Sequence, residues 1–419
     1  MISYRLWYST EGFADYIIDK TILKKRKCVK RLLFESDAKS NHFHTIPDHI
    51  KKILYLDAHD LIIEVITSKG FEPILSIEES KEAGTGHNSF QRFARLAASV
   101  ENSVPTIYIY PEATIISRDS GTKKTWDKIN PNIFRAMEEI NFTHKIPALL
   151  FYYPTFFKTR PDPYKAPSSD KGRKEEKTIK YAGCPDSSDS EMIMMFEVIN
   201  KIVEKVEKVG AVDGRNNLQS ERIIRDRIKW MAKEYMSKKI PKKKNSPISG
   251  TTLVTTISLI NFLKKKSSSS TKIGELLHSR KDSIIYQIDG EFRGDPYPGA
   301  LAALDYIMCR YGKSFEERDK NLIICFGNLE YNPDKQTINV TDNPRTKSST
   351  IKDLTDKVKQ SEGRNLLSLD FSSLKKSQIP RYYMQMRYGS TFSKVKHIRV
   401  YSYFADAIIF PDGVLWRDS

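Results

Sequence analysis

Cysteine is scarce and scattered in this chain. Cys28, Cys184, Cys309 and Cys325 form no CxxC pair and no cysteine-histidine arrangement at zinc spacing, which argues against a zinc finger. No apolar run approaches the roughly 18 residues that a membrane-spanning helix needs. The opening residues, MISYRLWYSTEGF, lack a basic region followed by a long apolar stretch. The expectation is a reduced, cytoplasmic, soluble protein with no membrane association. Also absent are a phosphate-binding Walker loop, a dinucleotide-binding glycine fingerprint and a nucleophile elbow. Nucleotide hydrolysis, hydride transfer and serine-hydrolase chemistry therefore have no sequence support.

What the chain does hold is charge of one sign. It has 69 Lys and Arg against 52 Asp and Glu, a formal net charge of +17 over 419 residues. Such a balance favours a polyanionic partner, because a protein that acts on nucleic acid must hold many phosphates at once. An aromatic content of 11% points to folded cores rather than a basic tail, and the length accommodates two or three domains.

Carboxylates are concentrated in one place, HDLIIEVITSKGFEPILSIEESKEAGTGHNSFQR, residues 59–92. Leu61 to Ile66 and Pro73 to Ser80 read as short strands rich in β-branched residues, with Ser68-Lys69-Gly70 as the turn. A two-residue turn centred on Lys69-Gly70 puts Asp60 opposite Glu79, with facing side chains roughly 5 Å apart. Strand periodicity then sets Lys81 beside Glu79 on the same face. A one-residue slip, which Pro73 invites, leaves all three as neighbours. Two carboxylates this close repel unless a cation lies between them, and their hard oxygens suit magnesium. A charged outer strand face accounts for the same residues without catalysis.

Asp60 followed by Glu79-Ser80-Lys81 on the next strand resembles the PD-(D/E)xK nuclease superfamily, which includes most type II restriction endonucleases. His59 stands where that family usually has proline. The resemblance implies that Asp60 and Glu79 ligate Mg2+ and that Lys81 is the catalytic lysine. Glu82 and Glu78 leave the motif open to displacement by one residue. The family commonly places a helix before the hairpin with an assisting carboxylate. Ser9 to Ile22 reads as such a helix, with Glu11 as the candidate. Glu64 lies on Asp60's side of its strand, as a further ligand or a solvated residue.

Beyond the hairpin, Gly84-Thr85-Gly86 makes a turn and Asn88 caps a helix whose Phe90, Phe93, Ala94 and Ala97 form an apolar stripe. Gln91, Arg92 and Arg95 fall on its other faces, Gln91 as an auxiliary site residue and the two arginines as DNA contacts. Thr106 to Tyr110 and Ala148 to Tyr153 read as further strands. Pro47-Asp48 lacks a following buried strand, and Pro185-Asp186 reads as a turn and cap; neither is a second catalytic motif.

Lys158 to Lys180 reads as a long loop, and Ser190 to Val209 and Ser220 to Lys239 as helices, the second with Met231 and Met236 as core filling. The lysine- and proline-rich stretch 238–247 marks a domain boundary. In the last third, Ile284 to Ile288 reads as a strand, Asp289 to Pro298 as a polar loop and Gly299 to Tyr311 as a helix. Glu291, Arg293, Asp295 and Tyr297 offer groups suited to base edges, or the loop's prolines and Asp295 simply fix a turn and cap. Asp289, Glu291 and Asp305 raise the possibility of a second metal site, but no acid-x-Lys strand accompanies them. Asp334 to Arg364 reads as a loop, and Lys394, Lys396, His397 and Arg399 as a basic strand edge.

The expected architecture is α/β: a restriction-endonuclease-like mixed sheet flanked by helices (residues 1–157), a loop and helical connector (158–248), and a C-terminal α+β recognition or clamp domain (249–419). The expected activity is Mg2+-dependent, site-specific cleavage of double-stranded DNA. A homodimer would supply two centres, and a cognate methyltransferase would act separately. A repair or junction-resolving nuclease, or a non-catalytic DNA-binding protein, are the alternatives.

Overall fold

The computed structural model describes residues 2–33, 46–80, 88–118, 129–159, 179–181, 183–237, 250–266, 275–289, 296–314, 317–346, 349–353, 381–382, 400–401 and 403–417. The chain is mixed α/β and divides into two compact units, Met1–Asn245 and Ser246–Ser419. Among the described residues, no helix is long and apolar enough to cross a membrane.

The first unit is built on a six-stranded mixed sheet. Its elements in chain order are β1 (Ser3–Tyr8), α1 (Glu11–Lys20), β2 (Cys28–Leu32), α2 (Asp48–Leu54), β3 (Leu61–Thr67), β4 (Gly70–Glu79), α3 (Phe93–Glu101), β5 (Thr106–Arg118), α4 (Asn132–His144), β6 (Ala148–Thr159), α5 (Ser190–Val209), α6 (Ala211–Asn216) and α7 (Arg222–Ser237). The strands lie in the order β2-β1-β3-β4-β5-β6. β3 pairs antiparallel with both β1 and β4, whereas β1/β2, β4/β5 and β5/β6 are parallel.

Side-chain contacts identify the two faces. Ser76 of β4 bonds Ser99 of α3 at 2.8 Å, so Ser76 and Glu78, the even-numbered residues of β4 beyond the bulge at Pro73, face α3. Tyr4 of β1 donates to Glu207 of α5 at 2.8 Å, and its ladder partner Val65 therefore faces α5 with Leu61 and Ile63. The stripe Phe90, Phe93, Ala94 and Ala97 is buried as its spacing implies. α5 starts at Asp189, whose carboxylate accepts from the Glu191 N–H at 3.0 Å, and ends at Gly210 with φ 93°, a conformation that glycine alone adopts freely.

The described helices of the expected connector, residues 158–248, belong to the first compact unit. α5 and α6 pack on β4, and α7 packs on α4 and β6, because each presents a buried apolar stripe that needs a partner layer. Met192, Met195 and Met231 are core, but Met236 is 82% exposed and fills none. Arg215 of α6 ties this layer to β4 through Glu72 at 3.0 Å and through the Pro73 carbonyl.

The second unit contains β7 (Thr251–Thr255), α8 (Thr256–Lys266), α9 (Glu275–His278), β8 (Asp282–Gln287), α10 (Pro296–Leu304), β9 (Lys320–Cys325), β10 (Asn328–Asn332), β11 (Thr337–Thr341), β12 (Arg381–Tyr382), β13 (Ala407–Phe410) and β14 (Gly413–Arg417). Its six-stranded sheet runs β12-β14-β13-β9-β8-β7. β8, β9 and β13 are mutually parallel, an α/β core rather than the segregated α+β arrangement expected. Part of the segment read as a loop, Asp334 to Arg364, is β11, paired with β10 in a hairpin. Lys394, Lys396, His397 and Arg399 lie outside the described residues.

The α5/α6 corner closes tightly at Gly214, where a Cβ would sit 2.9 Å from the Val206 backbone. Gly214→Ala is expected to lower the stability of the first unit by about 1–3 kcal/mol through overpacking, read from the shift in urea midpoint.

Candidate functional site

The hairpin that carries the acidic cluster forms, with a register one residue from that expected. Leu61 pairs with Ile77, so the ladder sets Asp60 against Glu78 rather than Glu79. Two local features cause this. The turn residues are Ser68 and Lys69, with Gly70 already in β4 at φ 135°. Beside Pro73, which cannot donate to a ladder, the register shifts between Ile63 and Glu64. A bulge there recovers one of the two displaced positions.

Asp60 itself stands just before the first residue of β3. Its Oδ2 accepts from the Glu79 backbone N–H at 2.8 Å, and its Oδ1 accepts from the Ser9 hydroxyl at 3.3 Å. The carboxylate therefore occupies the place of a ladder acceptor, in the plane of the sheet. Glu79, buried at 4% exposure, follows Ile77 onto the α1/α5 side by pleat alternation. Lys81 and Glu82 lie outside the described residues.

Glu78 takes the opposite side and enters a closed polar network. Its Oε1 accepts from Arg95 at 2.5 Å and lies 3.2 Å from Arg92 Nε, while its Oε2 accepts from the Asp60 N–H at 3.3 Å. Arg95 also holds Asp57 at 2.7 Å. His59 bonds Ser99 at 2.9 Å, and Ser99 continues through Ser76 to Thr106. Burial pushes the Glu78 carboxyl up to about 8, against the opposing pull of Arg95, and nearby Asp60 adds to the rise. Burial, reinforced by Arg95, pushes His59 down to about 3. Burial disfavours the charge of Arg95, but Asp57, Glu78 and Asp60 outweigh it and hold the guanidinium above its ordinary value.

This network corrects the assignment of Arg95 and Arg92 to DNA. Arg95 is 8% exposed and saturated by acids, and Arg92 turns inward to Glu78. Gln91 sits half-buried in the turn before α3. Glu11, at the start of α1, pairs with Lys30 at 2.6 Å and is 60% exposed. Glu64 is neither an auxiliary ligand nor solvated: it is fully buried, taking Arg5 at 3.1 Å, Trp7 at 3.2 Å and His49. This closure has no local signal, since its partners come from β1 and α2. Asp48 and His49 belong to α2, not to a strand.

In the second unit, Glu291, Arg293 and Asp295 lie outside the described residues. The Tyr297 hydroxyl donates to the Asp289 carbonyl at 3.0 Å, and the Asp289 carboxylate binds Arg345 at 2.5 Å. Asp305 cannot serve a second metal, because Arg310 and Arg318 each hold it at 2.7 Å in a fully buried cluster. Among the described residues, no group of three or more His, Cys, Asp and Glu side chains is arranged to hold a metal ion.

No family model, no curated protein and no solved structure matches the chain.

The pKa directions make the network's pH response specific. Glu78 rises from an ordinary 4.5 to about 8, so its contribution to stability is present below the lower value and is lost as pH rises through the upper one. His59 falls from 6.5 to about 3, so its contribution is present above the upper value and lost as pH falls through the lower. In EDTA, Glu78→Gln is expected to flatten the loss of stability between pH about 5 and about 9, measured by urea unfolding at each pH. Arg95→Met, which strands Asp57 and Glu78 without their cation, is expected to cost about 3–5 kcal/mol in the same assay.

Proposed function

We propose that the first unit is a magnesium-dependent nuclease of the PD-(D/E)xK kind acting on double-stranded DNA, with its centre at Asp60, Glu79 and Lys81. The observation that carries this reading is the Asp60 carboxylate fixed at 2.8 Å on the Glu79 peptide. That bond joins the start of one strand to the acid-x-Lys end of its hairpin partner. The wiring supports it: β3, β4, α3 and β5 follow in the strand, strand, helix, strand order that such a core requires, with β5 parallel to β4.

The donor set suits a hard divalent cation, since magnesium takes one or two carboxylates and completes its shell with waters and phosphate oxygens. Asp60 and Glu79 would hold it, and when bound it would supply charge neutralisation at the phosphate and a water of lowered pKa. Asp60 is prearranged for this role by Ser9 and by the Glu79 N–H. Glu78 is withdrawn to the α3 side, where Arg95 and Arg92 face it, so its carboxyl is held apart from the centre. Lys81 would neutralise the charge that develops on the phosphate.

The second unit would read or clamp the duplex through Glu291, Arg293 and Asp295. One centre per chain implies a homodimer or successive nicking for double-strand cleavage, and a separately acting methyltransferase would fit a restriction role. A non-catalytic DNA-binding protein is the second reading, favoured by the lack of a three-ligand cluster among the described residues.

The test uses supercoiled plasmid with Mg2+. The protein is expected to convert it to open-circular and linear forms, and Asp60→Ala, Glu79→Ala and Lys81→Ala are each expected to slow this by about 10²-fold or more. Undiminished cleavage in Asp60→Ala and Lys81→Ala would falsify the site; DNA retardation without cleavage by the unaltered protein would favour the binding reading.

A further inference from the structure

The segment Lys24-Lys25-Arg26-Lys27-Cys28-Val29-Lys30-Arg31 carries six cations and no acid in eight residues. It forms the end of a 3-10 turn, Ile22–Lys25, and then β2, the outermost described strand of the first sheet. The fold sorts these cations into two sets. Arg26 turns inward to Glu207 at 2.7 Å, and Lys30 bonds Glu11 at 2.6 Å and Asp15 at 2.9 Å. Lys24, Lys25, Lys27 and Arg31 are exposed and make no ion pair among the described residues. Their charges repel one another along a single edge, and among the described residues no salt bridge offsets that repulsion, Asp19 acting on Lys24 only through space.

The position of this edge is informative. β2 runs parallel to β1, with Arg31 level with Trp7 and the Leu33 N–H on the Tyr8 carbonyl at 2.7 Å. The next residue, Ser9, donates to the Asp60 carbonyl at 2.9 Å and to its carboxylate at 3.3 Å. Arg31, Ser9, Asp60 and Glu79 thus follow one another across the same end of the sheet. Three strand spacings of about 4.8 Å separate β2 from β4, roughly 14 Å. At about 3.4 Å of rise per nucleotide, a backbone seated at Glu79 on β4 would pass β2 some four nucleotides away. From Arg31 the exposed cations lead away along β2 for about 13 Å, at about 3.3 Å per residue.

We propose that this edge is a phosphate-tracking surface, with Lys24, Lys25, Lys27 and Arg31 holding the backbone of duplex DNA that flanks the Asp60 centre. The partner assignment rests on the nuclease reading; the surface itself stands on the sorted charges. Duplex DNA fits better than an anionic membrane surface, because Val29 is the only large apolar side chain exposed on this segment, and a membrane-seated surface adds apolar residues that insert.

The experiment measures binding of a fluorescein-labelled 24-base-pair duplex (about two helical turns) in EDTA across a salt series. It compares the unaltered protein, the quadruple variant Lys24→Ala/Lys25→Ala/Lys27→Ala/Arg31→Ala, and a charge-matched control, Lys281→Ala/Lys313→Ala/Lys335→Ala/Lys352→Ala. With about 0.9 per phosphate contact, the slope of log K against log salt is expected to fall by at least about 2, and up to about 3.6, in the edge variant and by less in the control. A fall below about 2, or one matched by the control, overturns the proposal, as does an edge variant that loses only binding to phosphatidylserine vesicles. Circular dichroism melts verify that each variant is folded. Plasmid cleavage separates the two readings: unaltered protein that binds with the expected slopes but never cuts leaves the edge standing without the nuclease, and unchanged slopes beside active cleavage do the reverse.

Discussion

Consecutive carboxylates on a buried strand end are the constraint around which the first unit is arranged. Glu78 and Glu79 sit at the close of β4, and Asp60 reaches them from β3. Strand pleating sends Glu78 and Glu79 to opposite sides of the sheet, so each side must handle its charge separately. On the α3 side the answer is Arg95, with Arg92 behind it and Asp57 sharing the guanidinium. Because Glu78 also receives the Asp60 N–H, the same network fixes where β3 begins. The position of α3, the turn before β3 and the direction of Asp60 are therefore one coupled problem rather than three.

Elements whose signal is local were legible in the sequence. The span Ser190–Val209 is helical because Asp189 caps it, Gly210 ends it and an apolar stripe runs between them. Leu61–Thr67 is a strand because its apolar, β-branched run leaves little alternative. The register was not legible, since it depends on which two residues turn and on how β4 absorbs Pro73. Arg95 was misplaced for a related reason. Helical spacing separates it from the Phe93 and Ala97 stripe, but only the tertiary fold brings Asp57 and Glu78 to it. The polar strand β11 was hidden because its side chains alternate between exposed and half-exposed, giving no apolar face to read.

Net charge proved a poor guide to individual cations. Arg95, Arg227 and Arg318 are all buried in pairs with acids, where their contribution is to close polar networks. Lys30 and Arg26 likewise face acids of the core layer. The excess positive charge that can meet a partner is what remains after such pairing. Along β2 it remains on one edge, because alternate residues of a strand point to opposite faces and, among the described residues, the acids that pair with β2, Glu11 and Asp15, stand on α1.

Asp60 and Glu64 lie four positions apart on the same hairpin arm, and the difference between them is decided by lone pairs. An ionised carboxylate offers about four acceptor sites. Glu64 gives its sites to the Arg5 guanidinium, the Trp7 indole and His49, so its charge is met by a cation of the fold and it is sealed from water. Among the described residues the hydrogen bonds that the Asp60 carboxylate accepts come from neutral donors, one backbone N–H and one hydroxyl, and the Arg95 charge reaches it only through space. It also lies where β3, β4 and the start of α1 converge at an end of the sheet. A cation arriving there finds open lone pairs on a carboxylate already oriented, whereas at Glu64 it would first have to displace an arginine. On the proposed reading, the acid with the weaker set of partners among the described residues is the one that takes up a cation from outside the fold.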